Sequence, residues 1–211
     1  VPPTEVEVLP GKAIAARALE AAGTASSVHV EIRARQGKRR MTMSQDSTLT
    51  SGHQVFQREG ICAEAVVVNG AAYITGNRSG FAQFFGFPAK AADVLAGEWV
   101  SYTPQDAGFE TIAKDVTMKS FLRSLKFKGS KGKTREDTIA GQRVVAVRGS
   151  YDGYKAVLYV RLDSLGLPVR LEGTKRNGQT MRMDFSRWNA PLQIATPTAF
   201  SIASLRGESE A

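Results

Sequence analysis

The chain has 211 residues, 42% of them hydrophobic and 23% charged, enough for one substantial core and outside the composition of disordered or collagenous chains. No run approaches the roughly 20 apolar residues that cross a bilayer as a helix, and a single cysteine, Cys62, excludes an intramolecular disulfide. The balance of 28 basic against 20 acidic side chains gives a net charge of +8, which favours polyanionic neighbours without choosing among lipid head groups, wall polymers and nucleic acid.

Residues 1–11 hold three prolines and no periodicity, which predicts an extended tether. Val1 is not a methionine, and an upstream segment is expected to have been removed. From Lys12 to Ala22 the apolar positions Ile14, Ala18, Leu19 and Ala22 share one face, predicting a helix that Gly23 caps. Strict alternation then predicts a strand from Val28 to Ala34, with Val28, Val30 and Ile32 facing one way and His29, Glu31 and Arg33 the other. Further strands are predicted over Arg40 to Leu49, His53 to Arg58, Cys62 to Val68 and Ala71 to Thr75, with Asn69-Gly70 as a two-residue hairpin. Cys62 in such a strand is expected to be a small buried hydrophobe. His29 and His53 are expected to face solvent.

The pattern changes at Asn77. Phe81, Phe84, Phe85 and Phe87 crowd into one segment, and Pro88 is placed to open a helix from Ala89 to Ala96, capped by Gly97. These rings suit either an apolar partner or ordinary core packing. Trp99 to Thr103 returns to strand. Thr117 is a predicted N-cap for a helix reaching Phe127, since Met118, Phe121, Leu122 and Leu125 keep the helical repeat while Lys119, Arg123 and Lys126 lie opposite. After a polar loop from Gly129 to Asp137, strands resume over Gln142 to Val147, Leu158 to Leu162, Leu165 to Glu172 and Met181 to Asn189, and continue to near Ile202. Ser164 to Gly166 and Asn177-Gly178 supply the breaks between them, and residues 204–211 form an expected flexible tail.

Two to three short helices among about ten strands predict an α+β fold. The helices are expected to cover one face of an antiparallel sheet, its hollow side if the sheet curves, with residues 12–203 as one domain. Any shortfall in filling that hollow leaves a cavity.

Catalytic and metal motifs are absent. Gly132-Lys133-Thr134 imitates the end of a phosphate loop, but Phe127 stands where the motif needs glycine, and a strand rather than a helix follows. No nucleophile elbow and no dinucleotide-binding glycine turn occurs, and His29 and His53 have no metal-ligand spacing to other donors. The basic runs at Arg33 to Arg40 and 128–135 lack the interleaved aromatics of a single-strand nucleic-acid binder. No enzyme activity, metal, cofactor or nucleic-acid partner is expected.

Several segments, in order, carry a resemblance: Ser26-Ser-Val-His-Val30, Val66 to Ile74, Gly97-Glu-Trp-Val100, Ile139 to Val145, Leu158-Tyr-Val160, Gly166 to Leu171, Phe185 to Pro191 and Ala195-Thr-Pro197. The chain resembles the actinobacterial lipoproteins of the LppX, LprA, LprF and LprG group, which share the LolA architecture. That resemblance implies a single strongly curved antiparallel sheet, a half-barrel whose concave face the helices cover around a hydrophobic cavity for acyl chains, and an extracytoplasmic protein held to the outer face of the cytoplasmic membrane by an acylated N-terminal cysteine that this sequence does not contain. It implies no catalytic residue.

An acyl cavity requires apolar volume more than specific chemistry, since each buried methylene is worth about 0.8 kcal/mol. Candidate lining residues on strands are Val28, Val30, Ile32, Met41, Met43, Met181 and Met183, methionine being suited to an adaptable wall. From the helical cover they are Ile14, Leu19, Phe81, Phe84, Phe85, Leu95, Phe121, Leu122 and Leu125. Arg39, Arg40, Lys126 and Lys128 are the candidates to meet an anionic head group at the mouth. The expected function is non-catalytic binding of a lipid or lipoglycan for transport or presentation. The alternative is a closed-cavity sensor or scaffold that contacts a membrane or envelope protein.

Overall fold

In the computed structural model, residues 9–132, 134–163 and 166–207 are described. Residues 1–8, where a tether is expected, Lys133, Ser164 and Leu165, where a break between strands is expected, and residues 208–211 of the expected tail lie outside the described residues.

Helix α1 (Gly11–Thr24) leads into five consecutive antiparallel strands, β1 (Ser27–Gln36), β2 (Arg39–Thr48), β3 (Gly52–Arg58), β4 (Ile61–Val68) and β5 (Ala71–Gly76). A π-helical turn (Gly80–Phe84), α2 (Ala89–Leu95), β6 (Val100–Tyr102), α3 (Phe109–Ala113) and α4 (Met118–Ser124) follow. The chain then forms β7 (Lys128–Gly129), β8 (Arg135–Ile139), β9 (Gln142–Tyr151), β10 (Tyr154–Arg161), β11 (Pro168–Thr174) and β12 (Thr180–Ser186), and closes with β13 (Phe200–Ser201) and α5 (Ile202–Gly207).

All thirteen strands join one open sheet in the order β13-β6-β5-β4-β3-β2-β1-β12-β11-β10-β9-β7, with β8 also on β9. The pairings are antiparallel except the two-residue β13–β6 pair. This is an α+β half-barrel. Alternation fixes its faces: Val30 and Ile32 sit opposite Phe185 and Met183 across β1–β12, and all four are buried on the concave side. Asn69 and Gly70 both have positive φ, as the two-residue hairpin requires.

Two separate cores fill the hollow. The first joins Ile14, Ala15 and Ala18 of α1, Val28, Val30 and Ile32 of β1, Met118, Phe121 and Leu125 around α4, and the inward residues of β9 to β12. The second joins Ala65, Val67, Ala72 and Ile74 of β4 and β5 to Phe81, Ala92, Leu95, Val100, Tyr102, Val116 and Ile202. Between them the chain linking α3 to α4 crosses the sheet at Gly52, where a Cβ would stand 1.9 Å from the Val116 carbonyl oxygen. A polar pin holds that crossing. The Gln45 side chain, fully buried, donates to the carbonyls of Asp115 and Val116 at 3.0 Å each and accepts from Gln54 at 3.1 Å.

The differences from the sequence reading have local causes. Gly23 lies inside α1, which ends at Thr24 with the Thr24 hydroxyl donating to the Ala21 carbonyl. Thr117 does cap α4, accepting from the Ser120 N–H, but the helix stops at Ser124 rather than Phe127. Part of the expected polar loop is β8, a charged edge strand. Helices α3 and α5 were not anticipated, being only five and six residues long.

A candidate lipid cavity

The site begins with the phenylalanine segment. Asn77 fixes its start: Oδ1 accepts from the N–H groups of Gly80 and Cys62, at 2.8 and 3.2 Å, and Nδ2 donates to the Gly60 carbonyl. Gly80 then lies flat on β4, because a Cβ there would be 2.0 Å from the Cys62 carbonyl oxygen. The next turn is wide, with the Phe85 N–H reaching back to the Gly80 carbonyl at 3.0 Å. Pro88 ends it and opens α2.

This wide turn splits the four rings. Phe81 points down and is fully buried, with Phe85 and Phe87 centred 5.8 and 5.4 Å from it. Phe84 points outward, 44% exposed, stacked on Phe56 at 4.5 Å and edge-on to Phe85 at 5.0 Å. The rings form a stepped aromatic wall.

Beside that wall lies an open cavity of about 880 Å³. Its floor is Ala65 and Ile74, which face each other across β4 and β5, together with Gln54 and Tyr102. The roof is Ala91, Val94 and Leu95 of α2, Thr111 and Ile112 of α3, and Ile202 and Leu205 at the C-terminal end. The volume arises from small side chains: Ala65 is an inward residue of β4, and Gly86, Ala91, Ala107 and Gly108 also line the cavity. The charged residues on its lining are Lys90 and Lys114.

Of the candidates chosen from sequence, Phe84, Phe85 and Leu95 line this cavity, and Phe81 backs its wall. Ile14, Val28, Val30, Ile32, Phe121, Leu125, Met181 and Met183 are buried in the first core, with Leu19, Met43 and Leu122 packed half-buried against it. Met41 is half-buried at the far end of β2, where it lines two smaller pockets, one of them shared with Met181. The reason is coverage: α1 packs over β7 and β9 to β11 and α4 over β2, and together they fill this half of the hollow. The head-group candidates lie elsewhere: Arg39 and Arg40 line a smaller pocket at the β1–β2 hairpin, Lys126 precedes β7 and Lys128 begins it, and none of the four lines this cavity.

Sequence reasoning missed Lys90, Lys114, Ile112 and Leu205, whose places depend on how short helices dock. It had a signal for Ala65 and Ile74, which continue the inward alternation of their strands.

Elsewhere, the convex face carries charge pairs rather than reactive groups. Cys62 is exposed there, not buried, because it shares its side of β4 with Glu64. His29 is not simply solvent-facing: its Nδ1 lies 2.8 Å from Asp46 and its Nε2 3.1 Å from Glu31, while His53 meets Glu64 at 3.0 Å. Burial raises the Asp184 carboxyl, but hydrogen bonds from Arg182 and Arg170 outweigh it and hold the group below its ordinary range. Burial, with its hydrogen bond to Glu172, pushes the Tyr159 hydroxyl up to about 12. Neither residue touches the cavity. Among the described residues no group of three or more His, Cys, Asp or Glu is placed to hold a metal ion.

No protein-family model matches the chain, and no curated protein resembles it in sequence. Solved structures do share its fold. The Mycobacterium tuberculosis lipoprotein LppX matches over 88% of this chain and 98% of its own, at 12% identity and a TM-score of 0.53. An uncharacterized conserved protein of Thermus thermophilus matches over 90% and 96%, at 12% identity and a TM-score of 0.45. MucB, from a MucA/MucB complex of Pseudomonas aeruginosa, matches over 92% of this chain and 60% of the other, at 16% identity and a TM-score of 0.40. The architecture is thus LppX-like.

Proposed function

We propose that this chain binds a lipid or lipoglycan by its acyl part in the cavity between β3–β6 and the α2–α3 roof, carrying or presenting it without catalysis. The observation behind the reading is an apolar, aromatic-walled hollow of about 880 Å³ left open in a fold shared with a lipoprotein. That volume lies within the roughly 300–1,000 Å³ of small-molecule sites. At about 0.8 kcal/mol per buried methylene, an acyl chain outweighs the few hydrogen bonds that Gln54 and Thr111 offer. We place the protein outside the cytoplasmic membrane, tethered to its surface through a lipid anchor ahead of this sequence, by analogy with the lipoprotein fold. One domain, running from α1 through Leu205 of α5, performs the task.

A second reading, a scaffold for an envelope or membrane protein, has its own support. The β1–β12 half of the hollow is closed, and Val94 and Phe84 are 77% and 44% exposed at the cavity rim, an apolar surface of the kind partners use. Two variants separate the readings. Ala91→Trp fills the cavity from a half-buried position, and Phe84→Asp places a carboxylate on its wall. Both are expected to stay folded and to weaken uptake of a fluorescent diacylglycerol about tenfold or more. Undiminished uptake by both folded variants would remove the cavity from the account.

A further inference from the structure

Charge is distributed unevenly around the cavity. No carboxylate lines it, whereas Lys90 and Lys114 approach from different elements, α2 and the α3–α4 link. Neither lysine makes an ion pair with another described residue, while cations nearby and elsewhere are neutralised: Arg78 by Asp93 of α2, Arg161 by Asp163, Arg170 by Asp184. The acids closest in sequence are engaged or face away. Asp93 holds Arg78, and the Asp115 carboxylate accepts from the Ser124 hydroxyl at 2.5 Å. Glu110, in the first turn of α3, does not line the cavity.

The position of Lys114 is also built. The two residues that follow it present their carbonyls to the buried Gln45 amide, which fixes the backbone carrying the lysine against the sheet. An apolar pocket whose charged lining is two unneutralised ammonium groups is complementary to one kind of molecule. We propose that the ligand is an anionic amphiphile, its tail in the cavity and its carboxylate or phosphate head between Lys90 and Lys114. The inference rests on the cavity reading above and adds the head-group charge to it.

The experiment measures binding of oleate, 1-oleoyl lysophosphatidic acid and neutral monoolein, which share one acyl chain, to the wild type and to Lys90→Glu/Lys114→Glu. Both lysines are exposed, so the double variant is expected to fold, and circular dichroism checks it. At low salt at least one anionic ligand is expected to bind about tenfold more tightly than monoolein, and the preference to fade with salt. The folded double variant is expected to lose that preference, and a preference that survives in it would overturn the charge inference. Whether oleate or the lysophosphatidic acid gains more identifies a carboxylate or a phosphate head. Equal binding of all three by the wild type would overturn the charge inference and leave the cavity reading intact. Failure of all three to bind would overturn the cavity reading itself.

Discussion

Polar residues at inward positions set the boundaries of this site. Gln45 occupies a place where the alternation of Met41 and Met43 calls for an apolar side chain, and it is buried with hydrogen bonds to three other residues. From sequence it reads only as an interruption. Its role depends on the chain that crosses β2 some 70 residues later, which no local pattern encodes. The inward residues Val28, Val30, Ile32, Met181 and Met183 were legible because strand period alone decides their side. On the convex face, Asp184 shows how a single carboxylate ties strands together. It accepts from Arg170 at 2.7 Å across β11–β12 and from Arg182 at 2.6 Å. Since its folded pKa lies below its unfolded value, its contribution to stability is present above the unfolded pKa of about 3.9 and is lost as pH falls through the folded pKa. Asp184→Asn is therefore expected to lower the urea midpoint at neutral pH, with the gap to wild type closing in acid. A gap that stays constant down to about pH 2 would contradict this.

At the scale of elements, hairpins and long strands were readable, and short cover elements were not. Asn69-Gly70 and the alternation through β1, β4, β10 and β12 depend on neighbours two residues apart. Helix α3 has five residues, too few for a helical repeat to register, and its stability comes from docking on β4 and β5. Strand β8 reads as a polar loop because Arg135 to Thr138 present charge and hydroxyl to solvent, as an edge strand often does. The π-helical turn matters most, because its wide turn separates buried Phe81 from wall-forming Phe84 and Phe85. Gly80→Ala tests that geometry. The new methyl would meet the Cys62 carbonyl at 2.0 Å, forcing the turn off β4. A stability loss of about 1–3 kcal/mol is expected, accompanied by weaker amphiphile uptake in the folded fraction. Unchanged uptake would show that the aromatic wall does not depend on this contact.

The whole molecule is a sheet with one hollow divided in two. That helices cover one face of it followed from counting amphipathic elements, each of which must bury a stripe, and its strong curvature from the family resemblance. The division did not follow, because it arises from which helix docks where. Alanines in α1 let that helix sit close over β7 and β9 to β11, so Met181 and Met183 are buried in a filled core, with Met43 packed against it. The other half keeps its volume through the small inward residues of β4 and the short reach of α2 and α3. Two cavity candidates, Phe84 and Phe85, came from a dense aromatic cluster read together with the family resemblance; the cluster by itself suits core packing equally, and here its neighbour is partly empty space.

The central claim is that this space holds an acyl ligand. Native mass spectrometry of the chain, expressed behind a secretion signal in an actinobacterial host, tests it most directly when compared with Ala91→Trp prepared identically. The account predicts a stoichiometric acyl-bearing species on the wild type, released by organic extraction and absent from the variant. Wild type that emerges empty and takes up no diacylglycerol, oleate or lysophosphatidic acid when offered them would contradict it.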